Sequence, residues 1–190
     1  MRLPNPFPAV LLALAIACTA LAAPTPAHAA GPVRPLVPGD TLPPLVGEYL
    51  TGREAVVPRD SKGRVAFLAL GFSYKSRLQV EAWGKRFQQA HGATPGVTFY
   101  EVPVMGGMAR VARPMIDRGM RRGTPVALHE NVITVWQQGG EWRKRMGHRD
   151  PDAAYLALVD GEGVVRWLHT GPLDDAAWAA LEQALAAARR

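Results

Sequence analysis

The chain has 190 residues, 48% hydrophobic and 20% charged, a balance that fits one domain with enough apolar content for a real core. Lys and Arg number 22 against 16 Asp and Glu, giving a formal net charge of +6. The single cysteine, Cys18, excludes a disulfide within the chain.

Residues 1–29 read as a signal peptide. Arg2 supplies the positive charge, residues 9–17 (AVLLALAIA) form a short apolar run, and Ala27-His28-Ala29 is a small-x-small cleavage pattern. The run is shorter than the ~20 residues that a membrane-spanning helix needs. Cleavage after Ala29 removes Cys18, so the exported part carries no thiol. As an alternative, Ala15-Ile16-Ala17-Cys18 loosely resembles a lipoprotein signal, in which case Cys18 is lipidated and anchors the chain. Both readings place the protein outside the cytoplasm, in a periplasm-like compartment, free or membrane-associated.

Residues 30–44 are proline-rich without periodicity and read as an extended linker, leaving residues 45–190 as the folded domain. A short strand is expected within Thr51–Pro58, then a turn at Asp60-Ser61-Lys62-Gly63. The continuous apolar run Val65–Phe72 suits a strand buried on both faces. Ser76–Ala90 reads as a helix, with Val80, Trp83 and Phe87 on one stripe, and Gly92 and Pro95-Gly96 stop it. Val97–Pro103 is a second strand, rich in β-branched and aromatic residues. Met108–Arg122 is helical, with Pro114 as an expected split or kink. Val132–Trp136 and Trp142–Met146 flank Gly139-Gly140 and suggest a hairpin, with Trp136 and Trp142 packed across its strands or, as the alternative, exposed as an interface anchor. Ala154–Val159 and Val164–His169 are strands joined by Asp160-Gly161-Glu162-Gly163, and a last helix starts at Asp174-Asp175 and runs to about Ala188. Helical crossovers between the first strands and a short turn between the last two give an α/β fold with a central mixed sheet flanked by helices, the thioredoxin-like arrangement.

Two stretches carry a narrower likeness. Phe99–Gly107 leads into Ile116–Pro125, and YLALVDGEGVVRWLHTG follows from Tyr155. Together, over roughly Leu42–Ala187, they resemble the mitochondrial ATPase complex assembly factor ten family. The resemblance implies a thioredoxin-like fold without redox activity and a role in assembling the membrane sector of ATP synthase. The leader is of the secretory kind and is neither Arg-rich nor Ser-rich, so a bacterial-type exported protein is expected.

An active thioredoxin-like enzyme carries a Cys-x-x-Cys pair after its first buried strand, where a helix N-terminus lowers the thiol pKa. Counting back from Glu81 places the comparable positions at about Lys75 and Leu78. His28, His91, His129, His148 and His169 show no metal-type spacing, and Gly106-Gly107 lacks the context of a phosphate loop. No catalytic residue, cofactor or nucleic-acid partner is expected. Met105, Met108, Met115, Met120 and Met146 leave open a copper-binding or metal-delivery role, because thioethers select Cu(I); clustered Met also makes adaptable packing surfaces. Trp83, Trp167 and Trp178 are expected to fill the core. Arg110, Arg113, Arg118, Arg121 and Arg122 are opposed nearby only by Asp117 and form the candidate surface for a membrane protein or an anionic membrane. Arg143, Lys144, Arg145 and Arg149 form a second basic cluster. The sequence reading is an exported, non-catalytic binding or assembly factor near the inner membrane, with metal delivery or a thiol-independent enzyme as alternatives.

Overall fold

The computed structural model describes residues 33–190, apart from the side chains of Met108 and Arg110. The expected signal peptide, with Cys18 and His28, and the first residues of the expected linker lie outside the described residues.

The fold is organised around β3 (Val65–Gly71), whose seven positions are all buried. It pairs in parallel with β4 (Val97–Pro103), from Val65↔Val97 to Gly71↔Pro103. On its other side it pairs antiparallel with β6 (Ala154–Val159), and β7 (Val165–Thr170) completes the order β4-β3-β6-β7. The helix that crosses from β3 to β4 is α1 (Arg77–His91), as parallel pairing requires. A smaller antiparallel sheet has the order β2-β1-β5, with β1 at Leu45–Tyr49, β2 at Glu54–Val57 and β5 at Ile133–Thr134. The remaining helices are α2 (Arg113–Gly123), α3 (Gly139–Arg145) and α4 (Asp175–Ala188).

Strand periodicity sorts the core into two layers. Phe67, Ala69, Phe99, Leu156 and Leu158 share one cluster with Val80, Trp83 and Phe87 of α1 and Ala177, Leu181 and Leu185 of α4. Phe67 stacks on Phe87 with ring centroids 4.6 Å apart, and the Trp83 indole donates to the Gly171 carbonyl. Trp167 and Trp178 pack against this cluster, partly buried. On the other face, Leu68, Leu70, Tyr100, Val102 and Tyr155 share a cluster with Leu42, Leu45, Tyr49, Ile133 and Trp142. The β6–β7 turn is held by Asp160, whose carboxylate accepts from the N–H groups of Glu162 and Val164 and from Arg166.

Three expectations are corrected. The hairpin around Gly139-Gly140 does not form. Only Ile133–Thr134 of that stretch is strand, paired with β1, and the two glycines open α3. The residues after them favour a helix: Glu141 and Arg145 pair at i,i+4, 2.6 Å apart, while Trp142 turns inward and is 1% exposed. A Cβ on Gly139 would lie 3.1 Å from the Met105 carbonyl, so this glycine permits a close approach of chains rather than a turn. Trp136 and Trp142 are both buried, not packed across a hairpin. Pro114 does split the stretch, as expected, and leaves no kink inside a helix: it sits in the first turn of α2, where its missing N–H costs no helix bond, and the preceding Gly107–Arg110 is a separate 3₁₀ turn.

The third correction concerns the linker. Its described part is docked: Leu36, Gly39 and Leu42 donate backbone N–H groups to the carbonyls of Arg145, Val165 and Gly163, each at 2.8 Å. Leu42 is 2% exposed and belongs to the core. The prolines that suggested a tether instead keep the segment extended while its leucines bury. We predict that Leu42→Ala lowers stability by about 2–4 kcal/mol, as cavity formation in a core does. A urea midpoint equal to that of the unaltered protein would return this segment to the status of a free tether.

Candidate ligand cleft and arginine face

The junction between β3 and α1 is where a thiol pair would stand. With α1 starting at Arg77 and Ser76 as its N-cap, the junction residues are Ser73-Tyr74-Lys75-Ser76. Of the positions expected at Lys75 and Leu78, Lys75 falls in this junction. Leu78 lies in the first turn of α1 and is 66% exposed. Counting forward from the end of the buried strand, rather than back from Glu81, would have found the two serines, which keep the two-residue spacing.

Both hydroxyls are engaged. Ser73 Oγ accepts from the N–H groups of Lys75 and Ser76 and donates to Asp152 Oδ1 at 3.2 Å. Ser76 Oγ donates to the Ser73 carbonyl at 2.8 Å and accepts from the Ser73 N–H. Gly71 makes room for this, since a Cβ there would sit 2.8 Å from Ser76 Oγ. Local side-chain-to-backbone bonds of this kind fix a loop, and they occupy the oxygens that would otherwise react.

Beside this loop opens a cleft of about 720 Å³. Its apolar walls include Val80 of α1, Val104 and Met105 after β4, and Ile116 and Met120 of α2. Its charged lining, among the described residues, is Arg77, Glu81 and Glu101. Arg77 is paired with Glu81 at 2.8 Å and lies over the Tyr74 ring. Glu101 is placed by strand alternation: like Phe99 it faces α1, where Gly84 leaves the space. Burial, and secondarily the nearby Glu81 charge, pushes the Glu101 carboxyl from 4.5 up to about 7.

The arginines divide into two groups. Arg113 bonds Glu48, pairs with Asp117 at 3.4 Å and lies 5.1 Å above the Trp136 ring. Arg121 Nε donates to the Leu50 carbonyl at 2.7 Å. Both therefore tie α2, which has no fully buried residue, to the small sheet. Arg118 and Arg122 are exposed, as is the bonded Arg121, and with Arg113 these arginines line an open depression of about 520 Å³. The side chain of Arg110 is not among those described. In the second basic cluster, Arg145 pairs with Glu141 and Arg143 donates to the Phe72 carbonyl.

Of the methionines, Met105 and Met120 line the cleft, Met115 is exposed and Met146 packs on the core. Among the described residues, no three or more His, Cys, Asp and Glu are grouped so as to hold a metal ion. His91 pairs with Glu182, His148 stacks on Tyr155, and His169 stacks on Trp167. Burial, then the Arg143 charge, lowers the His148 pKa.

No protein-family model matches the chain, and no curated protein matches it. Solved structures do. The chain is similar to a putative thiol:disulfide interchange protein DsbE from Chlorobium tepidum, with 21% identity, 80% of this chain and 98% of that chain covered, and a TM-score of 0.56. It is also similar to the exposed lipoprotein thioredoxin Etrx1 of Streptococcus pneumoniae, with 17% identity, coverage of 74% and 99%, and a TM-score of 0.53. A third similar structure is BsSco, a member of the Sco family of cytochrome c oxidase assembly proteins, with 13% identity, coverage of 79% and 96%, and a TM-score of 0.55. At these identities the likeness establishes the fold, which is thioredoxin-like.

Two predictions follow from the geometry. A carboxyl whose folded pKa is raised destabilises the fold when ionised. The cost is absent below the unfolded value, grows as pH rises from about 4.5 and is complete above about 7, on the order of 3 kcal/mol. Glu101→Gln should therefore raise the thermal midpoint at about pH 8 and change it little at about pH 4; equal effects at both would show a solvated carboxylate. Arg113→Ala should cost about 1 kcal/mol, a modest figure because its ion pairs are part-exposed. Arg118→Ala and Arg122→Ala should stay within about 0.5 kcal/mol. Urea titration of the three variants checks the division.

Proposed function

We propose that this is an exported, non-catalytic thioredoxin-like protein that binds and helps assemble a partner near the inner membrane. One observation carries the reading. At the α1 N-terminus, two serines bonded into the loop occupy the thiol positions, while an open cleft and an arginine-bearing helix stand beside them. The base bonded to Ser73 is the Asp152 carboxylate, too weak to make the hydroxyl a good nucleophile, and residues 33–190 carry no cysteine. The surface is thus suited to holding a partner rather than turning over a disulfide. BsSco, similar in fold, is described as an assembly protein, and the resemblance to the ATPase assembly factor family points the same way, toward a membrane complex such as ATP synthase. Function still belongs to the site rather than the fold. Among the described residues no helix is long and apolar enough to cross a membrane. The contact proposed is through a surface of the folded domain. The arginine face of α2 is that surface, and its acidic counterpart is a membrane protein or anionic lipid.

A second reading rests on Met105 and Met120, which share the cleft: two thioethers there would hold Cu(I) in a metal-delivery role. Titration with Cu(I) under reducing conditions discriminates, because stoichiometric binding abolished by Met105→Leu would favour it.

The experiment for the first reading is co-sedimentation with inner-membrane vesicles. Arg118→Glu with Arg122→Glu should release the protein from the vesicles, since each charge near an anionic surface contributes about 1 kcal/mol, and should leave the thermal midpoint unchanged. Retained binding would remove the arginine face from the proposal. The same protein should show no thiol-dependent insulin reduction, and turnover there would overturn the non-catalytic reading.

A further inference from the structure

The cleft has a floor that its walls do not explain. Val80, Val104, Met105, Ile116 and Met120 make an apolar channel, yet a carboxyl group stands at its base. Among the described residues, the charge that acts on Glu101 is that of Glu81 on α1, of the same sign, and the cation that shares the cleft lining, Arg77, is already paired with Glu81. The described cleft-lining residues of α2 carry no charge. Two carboxylates and one committed cation leave the cleft negative at its floor when Glu101 is ionised. An anionic ligand is repelled there, and a neutral one leaves the buried carboxylate uncompensated. An ammonium or guanidinium on a flexible apolar stem satisfies both parts, with the stem against the walls and the cation at the floor.

We infer that the cleft receives a lysine or arginine side chain from an apolar segment of a partner polypeptide, with Glu101 taking the cation. The inference rests on the binding-factor reading and names what that factor grips. A volume of about 720 Å³ exceeds one side chain, so the residues flanking the cation enter with it. Charge complementarity selects the occupant: the floor is acidic, while the arginine face on the outer side of α2 seeks the opposite sign.

The probes are end-blocked, fluorescein-labelled pentapeptides of sequence Ala-Leu-Lys-Leu-Ala, and the same peptide with norleucine or glutamate in the centre. Fluorescence anisotropy on the purified protein should show the lysine peptide binding about tenfold tighter than the norleucine peptide at about pH 8, the scale of a charge-assisted bond in a desolvated site. The advantage should shrink to about twofold or less at about pH 5.5, where Glu101 is protonated, and likewise in Glu101→Gln at about pH 8. The pH arm needs no variant, so a folding defect in Glu101→Gln does not mask the answer. Equal binding of the lysine and norleucine peptides, or a lysine preference that persists in Glu101→Gln, overturns the inference and leaves the binding-factor reading standing. Binding of none of the peptides also overturns it, and the vesicle experiment then judges that reading separately.

Discussion

Burial of β3 on both faces is the constraint from which the rest of the molecule follows. A strand with seven consecutive buried positions cannot lie on a surface, and it needs a cover above and below. One cover is α1 with α4, supplied by Trp83, Phe87, Leu181 and their neighbours. The other is the small sheet with α3 and the docked segment around Leu42. Once both covers are in place, the chain leaving β3 at Gly71 must turn sharply into α1. That turn is where the two serines sit and where the cleft opens. The position of the site is thus a by-product of covering one strand.

The helix α2 stands apart from this economy. It buries no residue fully and is held by Arg113 and Arg121 through polar bonds and by Ile116 and Met120 at the cleft wall. Elements with few buried apolar contacts lie at the low-stability end of a structure, and such elements adjust to partners. One face of α2 looks into the cleft and the other carries the exposed arginines, so an occupant of either surface acts on the same weakly anchored element.

Where side-chain pattern alone decides the structure, the sequence was legible. The strands at residues 65–71, 97–103 and 154–159 follow from continuous apolar runs or β-branched content, and α1 and α4 follow from their stripes and caps. The hairpin error arose because a Gly-Gly pair between two apolar stretches looks like a turn, whereas the helix is decided by i,i+4 pairing and the burial of Trp142. Strand β1 was missed because Leu45–Tyr49 contains Gly47, whose lack of a side chain is a tertiary matter: a Cβ there would lie 2.6 Å from Ile133. The arginine cluster was visible as charge, but its division into structural and exposed members depends on Glu48 and Leu50, which are distant in the chain. Glu101 gave no signal in sequence, because one acid within a strand pattern looks like an ordinary solvent-facing position.

Glu101 also constrains its neighbour across the layer. A Cβ on Gly84 would lie 2.1 Å from Glu101 Oε1 and 3.2 Å from its Cγ, so the carboxylate fills the volume that any other residue at position 84 would claim. The two positions are therefore one unit of variation. A side chain at position 84 would have to push the Glu101 carboxylate out of its place, so relatives that hold the acid in this position are expected to keep glycine there, at the usual cost of glycine inside a helix. A relative that loses the acid is released from that cost and is free to place alanine there. Co-inheritance of the pair thus separates chains that retain this floor from chains that merely share the fold.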